Sequence, residues 1–294
     1  MKIAFLACPE TLPGSPNRRP DAFEHDLQLA ALREGLAGRA EVTEIDWRAP
    51  LDALIAFDLA ILGTPWNYTE AKDEFLARLE ALEAAMVAVA NPAGVVRWNS
   101  DKLYLRELEL RGATSIPTLW PEAPDAHDVI AAFGQFDCER VVVKRRVGAG
   151  AIGQESFFRG DPRLTGWVMD QTAMIQPFLP AIQSEGELSF IFVSGQFSHA
   201  LIKRASAGDY RIQSLYGGTE TALAPTQADR TAAQGILEML PFAKPPLYAR
   251  IDMVRLDNGV LAVIEAELIE PYLYPLQGPG FGAMLAEGVL ASLR

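Results

Sequence analysis

The segment Glu139–Gly153, ERVVVKRRVGAGAIG, constrains this chain more than any other. A β-branched run, Val141 to Val143, ends in Lys144, and a glycine-rich loop follows. Such a loop brings backbone N–H groups close to an anion, and the lysine adds a point charge. The segment therefore reads as a strand feeding a phosphate-binding loop. Gly148, Gly150 and Gly153 also spell the dinucleotide fingerprint G-x-G-x-x-G. That fingerprint needs a helix opening directly after it inside a βαβ unit. The continuation, QESFFRGDPR, is broken by Gly160 and Pro162 and is too short for a crossover helix. It reads as the return strand of a hairpin. The plain alternative is a glycine-rich surface turn.

At 294 residues the chain has room for two or three domains. An apolar content of 49% with 22% charged residues fits a globular fold and excludes a disordered one. The net charge of −12 argues against a nucleic-acid partner, which needs basic excess. A bound polyphosphate must then be held by a local cluster of cations. No apolar run is long enough to span a bilayer, so no membrane partner is expected. MKIAFLAC reads as a first strand rather than a secretory leader. Cys8 and Cys138 lie far apart without metal-ligand spacing, which fits free thiols in the cytoplasm.

Strands alternate with helices over residues 1–95, which predicts a parallel α/β domain. Such domains bind ligands at strand C-termini, which nominates Thr64 to Tyr68 and Glu10 to Ser15. A second unit, residues 96–170, opens with Asn99 or Ser100 as helix cap and Lys102 in the first turn. A cation there opposes the helix dipole, which hints at a task. A third unit, residues 171–294, holds two hairpins, turning at Ser194–Gly195 and at Asp257–Gly259. The fold class is α/β plus α+β.

The second of these hairpins carries acids inside an apolar run. Glu265 and Glu267 are two apart and share a strand face. Asp252 lies on the facing strand, where pairing brings it opposite Glu265 or nearby. Facing carboxylates repel unless a cation sits between them, and an all-oxygen set suits Mg²⁺. A solvated polar strand face and a glycosidase-like carboxylate dyad are the alternatives.

Taken in order, Lys102, VVVKRRVGAGAIG, QPFLPAIQSEGELS, Arg211, ARID and IEAE resemble the ATP-grasp superfamily, in its glutathione synthetase-like branch. YARIDMVR and IEAELIEPYLY also resemble the ring-closing ligases of cycloserine synthesis. The resemblance spans about residues 96–275. It implies an N-terminal α/β domain followed by two α+β subdomains that clasp ATP. It implies that Lys102 and Lys144 contact the nucleotide phosphates beneath a loop holding Gly148, Gly150 and Gly153. Gln176, Phe178 and Leu179 match the adenine-binding linker, and Glu187, with Glu185 as its competitor, the acid that accepts ribose hydroxyls. Arg211 matches the arginine steadying the transferred phosphoryl group; Lys203 and Arg250 are further cations placed to face a substrate carboxylate. Asp252, Glu265 and Glu267 match the magnesium ligands, with Mn²⁺ as the substitute metal. The family often has Asn where Glu267 stands, so this chain carries an extra charge there.

The implied activity joins a small-molecule carboxylate, activated by ATP as an acyl phosphate, to an amine. A small-molecule kinase and a non-catalytic ATP-binding protein are the competing readings. Family members commonly pair, so a homodimer is compatible with the resemblance. The residues of His25, His127 and His199 are scattered and receive no role.

Overall fold

The structure, a computed structural model, describes residues 1–148, 153–206 and 217–293. Four parallel strands open the chain: β1 (Lys2–Ala7), β2 (Glu41–Asp46), β3 (Leu59–Thr64) and β4 (Ala88–Ala90). They lie in the order β2-β1-β3-β4. Helices α1 (Phe23–Leu36), α2 (Leu51–Leu54) and α3 (Lys72–Ala84) make the crossovers. The fully buried run of β3, Leu59–Thr64, is what a parallel strand covered on both faces requires.

Two short helices follow, α4 (Ala93–Asn99) and α5 (Tyr104–Leu110). Asn99 ends a helix here, whereas the sequence reading had it or Ser100 begin one. Its buried side chain instead clamps a later strand: Nδ2 donates to the Ala266 carbonyl at 2.7 Å and Oδ1 accepts from Leu268 N–H at 2.9 Å. Lys102 accordingly sits in the turn between the two helices, not in a first helical turn.

Helix α6 (Ala126–Gln135), opened by the Asp125–Asp128 capping box, packs on a sheet ordered β6-β5-β7. Strand β5 (Arg140–Arg145) pairs antiparallel with β6 (Glu155–Phe158). The glycine-rich loop thus joins a hairpin and opens no helix, which removes the dinucleotide reading. Strand β7 (Ala173–Pro177) pairs with β5, so this middle sheet takes a strand from beyond residue 170.

After the short α7 (Ala181–Ser184), the third sheet runs β10-β9-β8-β11-β12. Its strands are β8 (Glu187–Val193), β9 (Gln196–Arg204), β10 (Thr219–Leu223), β11 (Tyr248–Arg255) and β12 (Leu261–Glu267), all antiparallel. Ser194 and Gly195 both take positive φ, 49° and 82°, as the tight turn between β8 and β9 demands. Helix α8 (Gln227–Glu238) packs on this sheet.

The last helix, α9 (Phe281–Ser292), returns to lie against α1. The two cross at glycines: a Cβ on Gly35 would fall 2.0 Å from the Gly282 carbonyl oxygen. Asn91 extends the junction, its Nδ2 donating to the Tyr248 and Leu268 carbonyls at 2.8 and 2.7 Å. The Tyr248 hydroxyl reaches the Leu62 and Ile269 carbonyls at 3.0 and 2.9 Å. Among the described residues no helix is long and apolar enough to cross a membrane.

Candidate active site

Period-two alternation sorts the third sheet into two faces. Leu188, Phe190, Ile251, Met253 and Ala266 enter the core. Glu187, Ser189, Arg250, Asp252, Glu265 and Glu267 take the other face. Register then sets their neighbours: Asp252 lies opposite Glu265 on one side and Ser189 on the other, Arg250 opposite Glu267, and Glu187 opposite Lys203. The sequence expectation for Asp252 and Glu265 is thus met by the strand pairing.

The middle of the chain comes to this face. Lys102 Nζ lies 2.8 Å from Glu265 Oε1 and donates to the Gly148 carbonyl at 2.7 Å. One ammonium therefore ties the glycine loop to the acidic hairpin. Burial pulls the Lys102 pKa down, but Glu265 outweighs it and the net shift is upward. Lys144 makes no ion pair among the described residues. Burial lowers its pKa against the attraction of Glu265 and Glu187, and Lys102 adds repulsion. It is a poorly compensated cation.

Deeper in the sheet, Lys203 Nζ lies 2.5 Å from Glu187 Oε1 and 3.2 Å from Asp252 Oδ2. Arg250 Nη2 donates to Asp252 Oδ2 at 2.9 Å and also meets Glu267, while its Nη1 donates to the Tyr272 carbonyl at 3.0 Å. Ser189 donates to the remaining Asp252 oxygen. Burial raises the Asp252 carboxyl, yet Arg250 and Lys203 more than reverse this and hold it at about 2. Lys203 and Arg250, expected to face substrate, are buried counter-ions of Asp252 here.

The acids nearer the surface behave oppositely. Burial pushes Glu267 up to about 7, with Arg250 opposing and Glu265 reinforcing. Burial and then Glu267 push Glu270 up to about 8. In the sequence Glu270 reads as a third acid just after the second strand of the acidic hairpin, three residues after Glu267 and before Pro271, without a ligand role of its own. Tyr68 also belongs to this neighbourhood: burial first, then Glu270, Glu267 and Glu265, push its phenol well up.

These shifts bear on magnesium. Among the described residues, no group of three or more His, Cys, Asp or Glu side chains is arranged to hold a metal. Asp252 explains why, since Arg250, Lys203 and Ser189 fill the acceptor positions of its carboxylate. Glu265 and Glu267 fit better. Their side chains are 28% and 30% exposed and they share a strand face.

Other expected residues are spread around this centre. The Gln176 side chain turns away to donate to Thr118 Oγ1 at 3.0 Å. Phe178 lies under the Arg140 guanidinium, 3.8 Å from its ring centre, and Leu179 packs beside Ile116 and Val254. Glu185 is held by Arg255 at 3.1 Å, apart from the Lys203 cluster that Glu187 joins. Gly153 takes φ 71° and has no room for a Cβ, which would meet Arg145 Nε at 2.4 Å. Gly150 and Arg211 lie outside the described residues.

Comparison with known proteins bears on the fold that carries these residues. The family described as D-cycloserine synthetase DcsG, N-terminal domain, matches residues 3–91. The chain is 28% identical over 246 residues to the cycloserine biosynthesis protein DcsG of Streptomyces lavendulae, covering 78% of this chain and 81% of that protein. It is 31% identical over 195 residues to a glutathione synthetase of Prochlorococcus marinus (strain MIT 9313), covering 63% of this chain and 58% of that one. A crystal structure of D-cycloserine synthetase DcsG superposes with a TM-score of 0.83 over 100% of both chains at 24% identity. An ATP-grasp ligase, PsnB, complexed with a phosphomimetic variant of its minimal precursor, Mg and ADP, superposes with a TM-score of 0.65 over 99% of this chain and 98% of that one, at 14% identity. The chain thus shares its fold end to end with the cycloserine synthetase and with the ATP-grasp ligase PsnB, and its sequence is similar to the cycloserine biosynthesis protein and to the glutathione synthetase over the spans given.

Proposed function

We infer that this chain is an ATP-dependent ligase that activates a small-molecule carboxylate as an acyl phosphate for attack by an amine. The observation that carries this is the meeting of Lys102 and Lys144 from the middle of the chain with Glu265 from the late hairpin. Glu265 already satisfies Lys102, whereas Lys144 has no ion pair among the described residues, and a polyphosphate across the junction would supply its counter-charge. The relatives fit: cycloserine and glutathione, named in their descriptions, are both built from amino-acid units.

Lys144, short of counter-charge, takes a phosphate oxygen, and Lys102 takes a second as it leaves Glu265. Glu265 and Glu267 would hold Mg²⁺, which supplies positive charge to the phosphate oxygens. Asp252 anchors Arg250 and Lys203, and so sets the positive floor of the site. Arg250, held by Asp252, Glu267 and the Tyr272 carbonyl, fixes the acidic strands beneath the site. No protein nucleophile is required. Glycine-loop residues that close over the phosphates would keep water from the acyl phosphate. Glu187 and Glu185 remain the two candidates for the ribose, with Gln176, Phe178 and Leu179 along the adenine.

Two free cysteines and a need for Mg·ATP fit a cytoplasmic site of action. A chain of net charge −12 suits small-molecule partners better than nucleic acid. Pairing as a homodimer belongs to the same proposal and is read by light scattering.

The test is nucleotide affinity. Lys144→Ala is expected to weaken Mg·ATP binding roughly ten- to a hundredfold, the worth of a charge-assisted contact. Unchanged affinity would remove the site. An ADP-release screen against amino acids, dipeptides and other small carboxylates then separates the activities. A ligase releases free phosphate, whereas a kinase leaves a stable phosphorylated product.

A further inference from the structure

The turn between α4 and α5 runs beside the end of β5. Asp101 meets the Arg146 guanidinium with both carboxylate oxygens: Arg146 Nε donates to Oδ1 at 2.9 Å and Nη2 to Oδ2 at 2.6 Å. Next to this fork, the Lys102 N–H donates to the Arg146 carbonyl at 2.9 Å. The Arg146 N–H in turn donates to the Thr172 carbonyl at 3.0 Å, which continues the pairing of β5 with β7. The Lys102 ammonium completes the seam on the Gly148 carbonyl.

Ordinary surface pairing does not account for this joint. Exposed ion pairs contribute little, and Glu122, 3.5 Å from Arg146 with 81% of its side chain exposed, is of that kind. The Arg146 side chain is 12% exposed and that of Asp101 30%, and a two-bond fork fixes direction as well as distance. Burial raises the Asp101 carboxyl, but the bonds from Arg146 and the Leu103 N–H reverse this, and the net shift is downward. The fork is therefore charged at neutral pH.

What the joint holds together is a pair of like charges. Lys102 directly follows Asp101, and Lys144 stands two residues before Arg146. Burial lowers the Lys144 pKa, and Lys102 is close enough to press it further down. With no phosphate between them the two ammoniums repel, and the segments that carry them are far apart in sequence. Keeping both cations converged before a nucleotide arrives takes an attraction nearby that outweighs the repulsion. Asp101 and Arg146 supply it.

We propose that Asp101 and Arg146 are positioning residues for nucleotide binding: their fork holds Lys102 and Lys144 at the spacing that a polyphosphate spans. This rests on the ligase reading, in which both lysines take phosphate oxygens, and it adds two residues that act through those lysines. Cations set in place beforehand lose less freedom when the ligand binds, so the fork is read out as nucleotide affinity.

The experiment measures Mg·ATP binding by calorimetry. The proteins are the wild-type chain, Asp101→Asn, Arg146→Gln and Lys144→Ala, and Lys144→Ala combined with each of the other two. Asp101→Asn keeps an acceptor for the Leu103 N–H, which donates to Asp101 Oδ1 at 2.9 Å, and so tests the fork rather than the turn. Asp101→Asn and Arg146→Gln should each weaken Mg·ATP by about three- to thirtyfold. Lys144→Ala should weaken binding by a factor at least about threefold smaller in either variant than in the wild type, because a displaced lysine contributes less. Melting temperatures are taken alongside. A pair with a purely structural role would lower the melting temperature and leave Mg·ATP affinity within about twofold, or would weaken it by a factor that simply multiplies with that of Lys144→Ala. Either result overturns the proposal. If Arg146→Gln does not fold, Asp101→Asn, nearly equal in size to the wild type, carries the same test. A wild-type chain that binds no Mg·ATP is a separate result, which sinks the ligase reading and this proposal with it.

Discussion

Replacing Asn99 by alanine removes the side chain that clamps β12. Two backbone groups lose their partners, the Ala266 carbonyl and the Leu268 N–H, at 2.7 and 2.9 Å from the amide. Asn99 is 8% exposed, so water does not replace it freely. Each buried, unpaired group costs about 1–3 kcal/mol, giving about 2–6 kcal/mol together. With an unfolding entropy near 2.1 cal/mol/K per residue, a chain of 294 residues loses roughly 3–10 °C of melting temperature. Glu267 lies between the two clamped residues, so Mg·ATP affinity should fall as well. Asn99→Asp sharpens the test. If Asn99 acted as a helix cap, aspartate would serve equally well. As a clamp it fails, because aspartate keeps the acceptor for Leu268, loses the donor for Ala266 and buries a charge. Calorimetric melting of the three proteins, with and without Mg·ATP, decides the matter. An aspartate variant as stable as the wild type, or an alanine variant within 1 °C of it, would refute the clamp.

Glu267→Gln should stabilise the unliganded chain by about 2–3 kcal/mol at pH 8 and by little at pH 5. The sign follows from a folded pKa of about 7 against 4.5 for the ordinary glutamate: the folded state holds the proton more tightly, so the native acid costs stability as pH rises through that window. Urea melts at the two pH values measure it, and equal effects at both would contradict the raised pKa. In the wild type, Mg·ATP affinity should rise from pH 6 to pH 8 as Glu267 and Glu270 lose protons; a flat titration profile counts against Glu267 as a ligand. Gly282→Ala places a Cβ 2.4 Å from the Ala31 carbonyl oxygen and should cost about 1–3 kcal/mol, read as a lower melting temperature. An unshifted melt would mean that the helix crossing yields freely.

The acidic hairpin was legible because two local rules agreed. Asp257, Asn258 and Gly259 marked the turn, and period-two alternation carried Asp252 to its place opposite Glu265. The hairpin after Lys144 was equally legible, because Gly160 and Pro162 forbade a helix. What escaped was decided by partners distant in sequence. Asn99 reads as a cap by type, and only β12, more than 160 residues later, turns it into a clamp. Lys203 and Arg250 read as free cations, and only the sheet register buries them on Asp252.

The glycine crossing of α1 and α9 bears on how the molecule can breathe. With Asn91 and Tyr248 it welds the first and last sheets into one anvil. The β6-β5-β7 sheet with α6 is then the hammer, and Lys144 rides on it. Were the proposed ligase to open and close, this arrangement would place the hinges in the chain on either side of that sheet. Amide exchange should be slowest in the anvil and fastest where the hammer is hung.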